Sequence, residues 1–205
     1  MYPFIFACVS QKLRGQLFSQ ISFRLSSSSS TIYRSPPSSA TRQVPTPLLF
    51  VSASSLDPQS SEGMTTLSSM LAEKGFTCIQ SDLEVHQTAK LDSTKMIAAY
   101  ESELVSAMRL STIPFPPVVI ARSASCLIAE SYISSNSATG MILISPPVSN
   151  QSLDGNTLPN SMPEFDYEPY FPIANDNVET LSITSRENEA EILAVVEDWL
   201  EELGI

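Results

Sequence analysis

The sequence predicts an α/β domain, a parallel sheet of about five strands with helices on both faces. Three observations carry this expectation. From Pro47 onward, short apolar runs alternate with longer segments of helical period. The runs are apolar throughout instead of alternating with polar residues, as burial on both faces requires. Glycine or proline punctuates the boundaries, at Gly75, Pro114 and Pro146-Pro147.

The first strand is PLLFVSA, 47–53, an unbroken apolar run. EGMTTLSSMLAEKG follows as a helix, with Met64, Leu67, Met70 and Leu71 on one face and Gly75 as its stop. FTCIQSD, 76–82, is the second strand. DSTKMIAAYESELVSAMRLS places Ile97, Tyr100, Leu104 and Met108 near helical spacing and is ended by Pro114. PVVIAR, 117–122, is a third strand, ASCLIAESYISS a third helix, and TGMILIS, 139–145, a fourth strand. Residues 146–177, rich in Pro, Ser and Asn without periodicity, read as a long irregular loop. VETLSITS, 178–185, is positioned to supply a last strand. In the C-terminal segment Ile192, Val195, Val196, Trp199, Leu200 and Leu203 form an apolar stripe whose opposite, acidic side is a solvated helix face.

Charge is unevenly placed. The net charge is -11, yet residues 1–56 contain Lys12, Arg14, Arg24, Arg34 and Arg42 and no acid. All 22 acids lie beyond, against 6 bases. A domain this acidic repels phosphate backbones, which excludes nucleic-acid binding. Residues 1–46 read as a leader outside the domain of 47–205. A basic, acid-free, Ser- and Arg-rich start fits a mitochondrial transit peptide and a matrix destination. A plain disordered tail and a secretory signal built on YPFIFACV are the alternatives. No run approaches the roughly 18 apolar residues of a membrane helix.

Chemistry concentrates at PPVVIARSASCLIAE, residues 116–130, where a strand meets a helix at Ser123. In a parallel sheet, functional groups gather at such junctions. The flanks are small, Ala121 two residues before and Ser125 two after. A nucleophile elbow needs small residues there because its turn is too tight for larger side chains. The bland alternative is that Ser123 is a simple turn residue in a Ser-rich chain. Other constellations are absent: no glycine-rich phosphate loop follows a strand. One histidine, His86, and three cysteines offer neither metal-ligand spacing nor a disulfide framework. No cofactor is implied. Cys78 reads as a buried small hydrophobe. EFDYEPY, 164–170, reads as a solvated loop anchored by aromatics or as a docking segment for a basic partner.

The element order, the small-x-Ser-x-small turn and DLEVHQ at 82–87 together resemble the α/β-hydrolase family. The resemblance spans about residues 47–145 and, loosely, the last helix. It implies a reduced core without the family's N-terminal antiparallel strands and cap. It also implies Ser123 as nucleophile, the N–H of Ala124 as one oxyanion-hole donor, and a second donor near Ala53 or Ser54. Asp176 matches the acid. The family's His-Gly pair is missing near Ser52 and Ala53, and no histidine follows Ser123. A serine without a base to take its proton is a poor nucleophile. The expectation is therefore a hydrolase-like protein of impaired catalysis that serves a protein partner in binding or assembly. The alternative is an esterase or thioesterase acting on a small acyl substrate through Ser123.

Overall fold

The computed structural model describes residues 29–85, 92–153, 155, 157–165, 173–175 and 189–205. Among the described residues six strands form one mixed sheet: β1 (Ser30–Arg34), β2 (Val44–Ser52), β3 (Phe76–Asp82), β4 (Val118–Arg122), β5 (Gly140–Ile144) and β6 (Ile173–Asn175). Their order is β1-β3-β2-β4-β5-β6, with β1 antiparallel to β3 and every other pairing parallel. Four α-helices among the described residues connect or follow them: α1 (Met64–Glu73), α2 (Ser93–Leu110), α3 (Cys126–Ser135) and α4 (Glu189–Glu202).

The unbroken apolar runs become central strands that feed two cores. Leu49, Val51, Val119, Ala121, Met141 and Leu143 face α2 and α3. Their neighbours Leu48, Phe50, Val118, Ile120, Ile142 and Ile144 face α1 and α4. Successive side chains of a strand point to opposite sides, so helices on both faces demand an apolar residue at every position. The C-terminal helix buries Ile192, Val196 and Leu200 from the expected stripe, together with Leu193.

Helix ends follow local chemistry. The Asp92 side chain accepts the N–H of Lys95 at 2.9 Å and caps α2. After α1, Gly75 takes φ +106°, and a Cβ there would lie 2.1 Å from the Arg42 carbonyl oxygen. Only glycine fits both the φ and the close approach. It lets the Val44 N–H reach the Gly75 carbonyl at 2.9 Å, which sets the start of β2 against β3.

Three expectations need correction. The core does not lack an N-terminal antiparallel strand, because Ser30–Arg34 supplies one and makes the sheet mixed. Part of the span 1–46, read as lying outside the domain, joins the sheet: β1 lies within it, and β2 begins at Val44. Thr31, Ile32 and Tyr33 are strand formers that override the Ser- and Pro-rich composition around them. Pro45 and Pro47 are tolerated because the pairing with β3 shifts register between Val44 and Leu48. Finally, the span 146–177 is not wholly irregular: a 3-10 turn covers Asn150–Ser152, and Ile173–Asn175 pairs parallel with β5. The strand expected at 178–185 lies outside the described residues.

Candidate active site at the β4–α3 turn

β4 runs straight into a 3-10 turn at Ser123–Ser125 and then into α3. Ser123 stands at the bend with φ +52°. A non-glycine residue in the left-handed region costs on the order of 1–3 kcal/mol and persists only where its surroundings impose it. The imposing contacts come from Ser125, whose Oγ lies 3.0 Å from the Val51 carbonyl and 2.7 Å from that of Arg122. The same Oγ accepts the Arg122 N–H at 3.1 Å. Ala121 and Ser125, the small flanks of Ser123, are both fully buried. Among the described residues the only other non-glycine with positive φ is Ser145, at the end of the neighbouring strand β5.

The Ser123 side chain is half-buried, and its hydroxyl has no hydrogen-bond partner among the described residues. Its two expected oxyanion-hole donors are a different matter. The Ala124 N–H donates to Asp57 Oδ2 at 3.2 Å, while Asp57 Oδ1 accepts the N–H of Gln59 at 3.0 Å. The Ala53 N–H donates to Ser60 Oγ at 3.0 Å, and that hydroxyl donates to the Asp57 carbonyl at 2.6 Å. One short 3-10 turn, Pro58–Ser61 with Asp57 as its N-cap, therefore occupies both donors.

Asp82, the first residue of DLEVHQ, anchors the neighbouring loop. Its Oδ1 accepts the Ser54 N–H at 2.9 Å and the Ser52 hydroxyl at 3.0 Å, and its Oδ2 accepts the Ser54 hydroxyl at 2.6 Å. The loop after β2 is thus pinned to the end of β3, and Ser54 is committed to structure. His86 and Asp176 lie outside the described residues.

On the other side of the turn, Arg122 Nη1 donates to the Glu62 carbonyl at 2.9 Å. It borders a cleft lined by Met64, Leu67, Ile144, Glu189 and Ile192, with about 10 Å³ of room, enough for one water. Both described cysteines are buried, and desolvation pushes the Cys78 thiol up to about 12 despite the nearby Arg34. One turn into α3, burial and then the Glu164 charge raise the Glu130 carboxyl to about 7. Among the described residues no group of three His, Cys, Asp or Glu is placed to hold a metal, and no helix is long and apolar enough to cross a membrane.

Sequence reasoning identified the turn and its flanks but missed Asp57 and Ser60. The available signal was SLDPQSS, where Asp before Pro marks a helix N-cap. No family model, no curated protein and no solved structure matches this chain.

Proposed function

We propose that this chain is a degenerate α/β-hydrolase-like protein, imported into mitochondria, which keeps a serine turn without working acyl-transfer machinery. It acts in this reading by binding or assembly with a protein partner. The hydrogen bond from Ala124 to Asp57 carries the proposal. Acyl transfer by Ser123 would need that N–H free to meet an oxyanion. Two anions about 4 Å apart repel by about 4 kcal/mol at an effective dielectric of 20. That matches the roughly 3–4 kcal/mol that one oxyanion-hole donor supplies. The N–H therefore turns from a stabilising group into an occupied one. The absence of any histidine after Ser123 points the same way.

A second reading, a serine esterase or thioesterase, draws on the strained φ of Ser123 and on a hydroxyl with no partner among the described residues. Labelling with an active-site-directed fluorophosphonate separates the two. Folded protein that takes no label supports the first reading. Labelling that Ser123→Ala abolishes would establish the second. The mitochondrial part rests on the basic, acid-free N-terminal sequence, and a reporter fused to residues 1–46 that stays in the cytosol would refute it.

A further inference from the structure

We propose that the imported chain is cut once, at a peptide bond between Arg24 and Ser29, so that the mature protein keeps β1 in its sheet. The cut presupposes the mitochondrial import read above and adds the place where the leader ends. The fold sets the far limit. All five residues of β1 pair with β3, from Ser30↔Asp82 to Arg34↔Cys78. Side chains hold the strand along its length. Ser29 Oγ accepts the Glu84 N–H at 2.9 Å, the Thr31 and Ser81 hydroxyls lie 3.2 Å apart, and Arg34 Nη1 donates to Gln80 Oε1 at 2.9 Å. The Tyr33 hydroxyl donates to the Ala107 carbonyl at 3.4 Å and ties the strand to α2. A cut within or after β1 would strip these partners away. It would leave β3, where Cys78, Ile79, Gln80 and Ser81 are all buried, as a bare edge open to pairing with other chains.

The sequence sets the near limit. Residues 1–28 carry three basic side chains, Lys12, Arg14 and Arg24, and no acid, so a protease with an acidic groove is the kind that can read them. A cut just beyond Arg14 would leave Leu17, Phe18, Ile21 and Phe23 ahead of β1. Beyond Leu25, every residue up to Ser30 is serine, so a cut past Arg24 leaves only a short polar end. The next bases, Arg34 and Arg42, close and follow β1, and a cut directed by either removes the strand. The step is a hydrolysis. The peptide C–N bond breaks, the hydroxyl of water joins the carbonyl carbon, and its proton goes to the nitrogen that becomes the new amino terminus.

Import of the full chain into isolated, energised mitochondria tests this, with the protease-protected product read by intact mass and N-terminal peptide. One shortened species is expected, beginning between Leu25 and Ser29. Arg24→Gln should slow that cut about tenfold or more while import continues on Lys12 and Arg14. A product that enters uncut, begins before Leu25 or begins beyond Ser29 overturns the cut and leaves import standing. A chain that stays outside refutes the mitochondrial reading and the cut with it. Trypsin acting on the purified full chain checks the far limit apart from any organelle. The Arg34–Ser35 bond should be cut about tenfold or more slowly than the Arg24–Leu25 bond, because β1 must first leave the sheet. Equal rates would overturn the placement of β1 within the mature fold.

Discussion

Asp57 and Ala124, separated by 67 positions in the chain, are joined by a hydrogen bond from the Ala124 N–H to Asp57 Oδ2 at 3.2 Å. The same carboxylate caps its own turn through Gln59. One side chain thereby closes the 3-10 turn and ties it to the start of the helix beyond β4.

Asp57→Ala should therefore cost about 1–2 kcal/mol in urea unfolding, through loss of a cap and of a charge-assisted hydrogen bond. It should not raise ester hydrolysis above the buffer rate, since freeing the N–H supplies no base. A burst of p-nitrophenyl acetate turnover in Asp57→Ala, absent from Asp57→Ala/Ser123→Ala, would contradict the proposed loss of catalysis.

Ser123→Gly should stabilise the fold by up to about 1 kcal/mol, because glycine adopts φ +52° without a Cβ clash. Ser123→Val should destabilise it by more than that, a β-branched residue being worst in this region. Equal midpoints for both variants in a denaturant series would mean the bend is not strained.

Asp82→Ala leaves Ser52 and Ser54 without their shared acceptor and should cost about 2–3 kcal/mol. Hydrogen exchange reads the effect locally: the Ser54 amide should lose protection before the strand amides of β2 do. Uniform loss across β2 would instead place Asp82 in the global fold and not in the loop.

Glu130 gives a pH signature. Its carboxyl is raised to about 7 from the ordinary 4.5, first by burial and then by the Glu164 charge. The folded state thus holds a proton that the unfolded state releases. Stability from this group is complete below about pH 4.5 and is lost as pH rises through about 7. Glu130→Gln should match the wild type near pH 4.5 and exceed it at pH 8 by on the order of 1–2 kcal/mol, allowing for partial exposure. Parallel melting curves across that range would exclude the effect.

The central strands were legible because burial on both faces leaves an unbroken apolar run, as in PLLFV and GMILI. The turn between β4 and α3 was legible because the apolar run stops abruptly at Ser123 and a helical pattern begins just after it. β1 was hidden: its five residues sit in a Ser- and Pro-rich tract, where composition outweighs a short run of strand formers. β6, with three residues, is shorter than any periodicity can register. The occupancy of the Ala53 and Ala124 donors was invisible for another reason. It depends on which backbone N–H a distant carboxylate and hydroxyl meet after folding, and no local pattern encodes that meeting.

Asp57 also sets the terms for any guest at the Ser123 bend. A carboxylate that the fold holds against the amide competes at an effective concentration of about 1 mM or more. A free acid of equal intrinsic affinity, supplied at about 1 µM, would then hold the position in only about one molecule in a thousand. Molecules that succeed there must bring most of their affinity from contacts beyond the amide itself.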